Sequence, residues 1–146
     1  MTAGHIKFDW NRYISFAEEL LEFIPEDKDD EAKERCGISR AYYGAFHRAK
    51  SYLNRIGITI DINGSDSHKK VIEEYKNVGI HNRLWYQVGI ELDRLKKQSK
   101  KADYHDKYFD NNEKFFKLKN QLKSAILKAC WVIEKINEIE EQDRLR

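Results

Sequence analysis

From Asp9 onward, apolar residues recur at three- and four-residue steps through Trp10, Tyr13, Ile14, Ala17, Leu20, Leu21 and Ile24. That spacing is one face of a helix. Asp9 is its candidate N-cap, Phe8 and Tyr13 are placed as a hydrophobic staple, and Pro25 ends the pattern. The acidic stretch "EDKDDEAKE" suits the positive end of a following helix dipole. A second helix is predicted from about Asp30 to Arg55, with Ile38, Ala41, Tyr42, Ala45, Ala49, Leu53 and Ile56 as its core stripe and Gly57 closing it. "ITIDI" alternates like a strand but has no partner strand elsewhere, so it is predicted as extended loop.

A short helix from about Ser67 to Lys76 buries Val71, Ile72 and Tyr75, and "NVG" interrupts it. The next, from about Asn82 to Lys101, uses Leu84, Trp85, Val88, Leu92 and Leu95. After the polar loop "DYHDKYFDNN", a last helix from about Asn112 to Glu141 carries Phe115 or Phe116, Leu118, Leu122, Ala125, Ile126, Ala129, Val132, Ile133, Ile136 and Ile139. The predicted fold is all-α, an up-and-down bundle of four main helices plus one short helix, in a single domain over residues 1–146. No internal repeat and no Gly/Ser linker divides it.

Charge narrows the picture less than pattern does. Lys and Arg number 27 and Asp and Glu 25, for a formal net charge of +2, so any basic footprint must be local. The densest is "RLKKQSKK", with Arg94, Lys96, Lys97, Lys100 and Lys101 near a helix C-terminus and Tyr104, His105 and Tyr108 close by as stacking surfaces for bases. The plainer reading of that run is a solvated helix end. Cys36 and Cys130 lack CxxC spacing and metal-ligand neighbours, so reduced thiols in a cytoplasmic protein are expected, with no metal and no cofactor. No apolar run is long enough to span a bilayer and no signal-peptide pattern opens the chain, so no membrane association is expected. P-loop, GxGxxG, GxSxG and HExxH motifs are absent. Trp10, Trp85 and Trp131 fall on apolar faces and are expected in the core.

The second helix carries more than its core stripe. With a turn of about 100° per residue, Arg40 and His47 fall opposite Ile38 and Ala49, one above the other, with Gly44 and Ser51 beside them. Glycine in a helix interior costs about 1 kcal/mol relative to alanine, and close approach of another surface is one reason for it. A second subunit or a ligand on this face is the resulting expectation, against the plainer one of a polar exposed face.

The blocks "SRAYYGAFHRAKSYL", "SHKKVIEEY" and "KKADYHDKYF", in that order, resemble the HEPN superfamily of helical nucleotide-binding domains, and within it small stand-alone proteins with an S-R-x-Y-Y-x-x-F-H block, a later H-K and a final A-D-Y. The resemblance implies a homodimeric helical bundle whose dimer groove gathers functional residues, Gly44 and Ser51 lining it. It implies RNA or nucleotides as ligands and, in many members, metal-independent endoribonuclease activity of a toxin or defence type through an Arg and a His. Arg40 and His47 match that pair: the imidazole would move the 2′-hydroxyl or leaving-group proton, and the guanidinium would hold the phosphate. Tyr43, Asp103, Tyr104 and His68 would surround the pair, Asp103 and Tyr104 orienting it by hydrogen bonds. The pair departs from the ribonuclease pattern in lying on the second helix rather than a later one, and "QSKKADY" lacks the arginine that usually precedes A-D-Y. A non-catalytic binding module that works with a nucleotidyltransferase or antitoxin partner, and a purely structural helical dimer, are the alternatives. His5 is expected in a frayed tail, and His81 and His105 at solvated element ends.

Overall fold

The computed structural model describes residues 8–58, 60, 66–78, 82–109 and 117–145. It is all-helical, with α1 Asn11–Glu22, α2 Glu31–Arg55, α3 Ser67–Val78, α4 Arg83–Tyr104 and α5 Leu118–Arg144. Among the described residues there is no strand, and Ile58 and Ile60 of "ITIDI" lie in loop. The other residues of that stretch, like His5, His81, Phe115 and Phe116, lie outside the described residues.

Local chemistry fixes the helix ends. Asp30 Oδ1 accepts the Lys33 N–H at 3.2 Å, while Glu34 Oε1 reaches back to accept the Asp30 N–H at 2.8 Å, so two of the first free donors of α2 are satisfied reciprocally. Gly57, at φ 91, closes the same helix in the left-handed region that a side chain would disfavour. Asn82 caps α4 by accepting the Leu84 N–H at 3.1 Å. In α1 the cap shifts by one residue from expectation: Trp10 holds the N-cap position, and Asp9 accepts the Asn11 N–H at 3.0 Å. The expected staple forms, with the Phe8 and Tyr13 rings 5.3 Å apart.

Several helix boundaries differ from the sequence reading. α3 continues to Val78, α4 continues to Tyr104, and α5 begins only at Leu118 because Lys117 has extended backbone, φ −108 and ψ 133. The extension of α4 matters most, since it puts Asp103 and Tyr104 in the last turn of that helix rather than in a loop.

α2 is the central element, packed against α1, α4 and α5 and, over a shorter stretch, against α3. Ile38, Ala41, Ala45, Ala49 and Leu53 of α2 meet Leu92 and Leu95 of α4 and Leu122, Ala129, Val132 and Ile136 of α5 in one core. Each buried side chain of leucine size contributes about 1.5–3 kcal/mol, and the predicted stripes of α2 to α5 supply most of them. Tyr75 is fully buried, its hydroxyl donating to the Ala49 carbonyl at 2.8 Å and its ring 4.9 Å from Trp85. Trp85 is buried as expected, whereas Trp10 and Trp131 are half-buried.

Polar clasps finish the bundle. Arg35 donates to the carbonyls of Lys101, Ala102, His105 and Asp106, gathering the C-terminal end of α4 onto α2. Lys119, at the start of α5, donates to the carbonyls of Pro25 at 2.8 Å and Lys28 at 2.7 Å in the turn between α1 and α2. Arg48 and Arg55 converge on Glu140. No helix among the described residues is long and apolar enough to cross a membrane.

Candidate functional site

The face of α2 opposite its core stripe is where α1 lies. Gly44 is buried there: a Cβ built on it would stand 2.8 Å from Ile14 Cγ1 and 3.1 Å from the Trp10 carbonyl oxygen. The close approach that glycine permits is thus made by a helix of the same chain, and the placing of Gly44 in a dimer groove is corrected accordingly. Ser51, further along α2, is exposed.

Arg40 and His47 lie on this face, and aromatic residues of α1 cover both. The Arg40 guanidinium lies 5.3 Å from the ring centroid of Tyr13 and 5.3 Å from that of Tyr43, held between two electron-rich faces. Among the described residues no carboxylate pairs with it. It opens onto a cavity of about 490 Å³ that is also lined by Arg12, Phe8, Phe16 and Glu19. Phe8 and Phe16 are exposed there.

His47 is stacked under Trp10, with centroids 3.6 Å apart and planes at 11°. Burial, then the positive charge of Lys50, then His68, hold its imidazole down to about 4, so it is neutral at pH 7. Tyr43 joins the pair, with its ring 6.3 Å from that of His47 as well as against Arg40. Burial raises the Tyr43 phenol, and Asp103 raises it further.

Asp103 does not reach Arg40 or His47. Its Oδ2 accepts the Ser39 hydroxyl at 3.1 Å, tying the last turn of α4 to α2 one residue before Arg40. Tyr104 is 78% exposed, so it orients neither member of the pair. The expectation that these two residues position Arg40 and His47 by hydrogen bonds is therefore corrected: the extension of α4 carries Asp103 to Ser39 and turns Tyr104 outward.

His68 lies in the first turn of α3, stacked on Phe46 at 3.9 Å and 11°, with its Nδ1 2.6 Å from the Tyr42 hydroxyl. Burial, Lys96 and Lys50, in that order, lower its pKa. Lys50, which the sequence reading passed over, is only 7% exposed. The signal for it was available: it stands three residues after His47 and four after Phe46, hence on their side of α2.

The basic run is divided by its helix rather than gathered on one open face. Arg94 pairs with Glu91 at 2.6 Å and Lys97 with Asp93 at 3.3 Å. Lys96 is half-buried, Lys101 stands 5.6 Å over the Tyr108 ring, and Lys100 is exposed. Tyr108 is buried and offers no stacking surface, whereas His105 is exposed. Among the described residues no group of three or more His, Cys, Asp or Glu side chains could hold a metal ion. No family model matches this chain, and neither a curated protein nor a solved structure shows significant similarity to it.

Proposed function

We propose that the chain is a HEPN-like, homodimeric protein that binds RNA or nucleotides, with Arg40 as the group that engages phosphate. The observation that carries this reading is the state of Arg40: it is clasped by Tyr13 and Tyr43, without a carboxylate partner among the described residues, and faces a cavity shared with Arg12 and the exposed rings of Phe8 and Phe16. A planar guanidinium that is oriented but uncompensated suits a phosphate oxyanion. Exposed aromatic rings beside it suit unpaired bases. A nucleotidyltransferase or antitoxin partner belongs to the same reading through the sequence resemblance.

A second reading, metal-independent RNA cleavage by Arg40 and His47, is favoured by one contact, Tyr43 spanning both residues. Against it stands the chemistry of His47. A ring pressed on Trp10 and held down to about 4 is almost wholly unprotonated at pH 7, so it has no proton to give a leaving group and is a weak base.

The deciding experiment incubates labelled single-stranded RNA and a 5′-nucleotide with wild type, Arg40→Ala and His47→Ala in excess EDTA, with the oligomeric state read by light scattering. Expected are a dimer, saturable binding without cleavage, and at least about a tenfold loss of affinity in Arg40→Ala. Cleavage by wild type that leaves a 2′,3′-cyclic phosphate and disappears in His47→Ala would establish the second reading. Absence of binding to either ligand overturns both.

A further inference from the structure

α1 buries Ile14 and Ala17 against the bundle. Its outer side carries Arg12, Ser15, Phe16 and Glu19 at steps of three and four residues, so the four stand in one row. All four are exposed, and all four line the cavity of about 490 Å³ onto which Arg40 opens. At 1.5 Å of rise per residue, the row from Arg12 to Glu19 is about 10 Å long. That is the scale of a nucleotide from its phosphate to the far edge of its base.

The row is chemically graded. Arg35, Arg48, Arg55, Arg94 and Arg144 each pair with a glutamate, whereas among the described residues neither Arg12 nor Arg40 pairs with a carboxylate. Tyr13, next to Arg12 in the chain, holds the Arg40 guanidinium 5.3 Å from its ring centroid, so both cations stand by Tyr13. Phe16 occupies the middle of the row. Phe8, Trp10 and Tyr13 pack on one another, with centroids 4.8 to 5.5 Å apart. Phe16 has no ring against it among the described residues and is 42% exposed, so it offers a face to a flat base. Glu19 lines the far end, and among the described residues its carboxylate forms no ion pair.

A cavity with two cations at one end and a carboxylate at the other is no trap for a simple anion, which Glu19 would repel. It suits a ligand that presents a negative group, a flat ring and hydrogen-bond donors in that order. An amino acid carries its two charges on one carbon and cannot span the row. We infer that the Arg40 cavity takes a guanine nucleotide, free or as an unpaired guanosine in RNA, and that Glu19 selects its base. A carboxylate only accepts, through two oxygens side by side. Of the four RNA bases only guanine sets two donors side by side on its Watson–Crick edge, N1–H and an N2–H, and the two forks match. Adenine and cytosine place an amino donor beside a ring nitrogen whose lone pair would face the second oxygen, and uracil flanks its single N3–H with two carbonyls. The inference rests on the proposed role of Arg40 in engaging phosphate and adds to it the choice of base.

The test is a calorimetric titration of the full chain with GMP, AMP and IMP at one salt concentration, in wild type, Glu19→Gln and Arg40→Ala. Expected is GMP binding at least about tenfold tighter than AMP, with IMP, which lacks the N2 amine, between them. Glu19 is exposed, so Glu19→Gln keeps the fold. Its amide presents one acceptor and one donor, a match for adenine, so GMP should lose its advantage to AMP. Arg40→Ala should weaken all three ligands alike; if it fails to fold, Arg12→Ala, at an exposed position, carries the same comparison. A single-stranded oligoadenosine with one guanosine that binds more tightly than GMP identifies RNA as the source, and equal or weaker binding identifies the free nucleotide; both support the site. Equal binding of GMP and AMP that still depends on Arg40 overturns the choice of base and leaves the phosphate reading standing. An unchanged GMP preference in Glu19→Gln overturns the role of Glu19. Binding of no nucleotide by wild type overturns the inference together with the reading beneath it.

Discussion

The indole of Trp10 lies flat on the imidazole of His47, 3.6 Å between centroids and 11° between planes, so the first residue of α1's approach seals the most conspicuous histidine of α2. This contact governs both the chemistry of His47 and the seating of α1. Trp10→Ala should remove the cover, raise the imidazole toward its ordinary value and cost about 2 kcal/mol, less than a fully buried tryptophan because Trp10 is half-buried. NMR titration of His47 with a denaturant melt checks both. An imidazole that still titrates near 4 in the variant would exclude α1 as the source of the burial.

The two depressed histidines give stability a defined slope with pH. The unfolded chain protonates His47 near 6.5, while the folded chain does so only at about 4. Between those values the unfolded state binds more protons, so stability is complete above the unfolded pKa and is lost as pH falls through the window. His68 acts in the same sense. Glu34, whose carboxyl burial raises, acts in the opposite sense at the lower end. The Tm should therefore fall between about pH 7.5 and pH 5, and the fall should be smaller in His47→Gln. An equal fall in both proteins would assign the slope to other groups.

Gly44→Ala exchanges a helix-propensity gain of about 1 kcal/mol for a Cβ that meets Ile14 Cγ1 at 2.8 Å and backbone at 3.1 Å. Because a carbonyl oxygen cannot swing aside as a side-chain tip can, the clash should win, for a net loss of about 1–2 kcal/mol. Ile14→Val in the same chain should recover part of it. A melt in which Gly44→Ala is more stable than wild type would mean that α1 yields freely.

Arg35→Met should fray the end of α4. Several carbonyls of that helix end rest on one guanidinium, and losing charge-assisted hydrogen bonds of this kind costs about 1.5–3 kcal/mol. Arg35→Lys should recover little, since an ammonium cannot span the set. Amide exchange at Ala102 to Tyr104 is the direct readout; unchanged protection there would show that the last turn stands without Arg35.

The helical frame was legible because its signals are local. Stripes at three- and four-residue steps and Gly57 as a stop each act within a few residues of chain. The end of α4 was misplaced for the complementary reason: its last turn is held by Arg35, far away in sequence, and nothing in "KKADYH" itself announces that support. The strip on α2 was found on the helical wheel, yet its cover was expected from a second subunit or a ligand, since a wheel shows that a face is occupied without showing by what. Lys50 was missed because lysine ordinarily marks solvent.

Lys119 makes the bundle sensitive to the order in which its parts come into being. The carbonyls of Pro25 and Lys28 have been synthesised long before the ammonium that gathers them. Until α5 exists, α2 also lacks the neighbour that covers one side of its stripe. A growing chain therefore carries an open apolar seam through most of its synthesis, and a single late event, the docking of α5, covers the seam and latches the first turn of the molecule. Truncation within α5 would leave the earlier helices intact in sequence but without their lock.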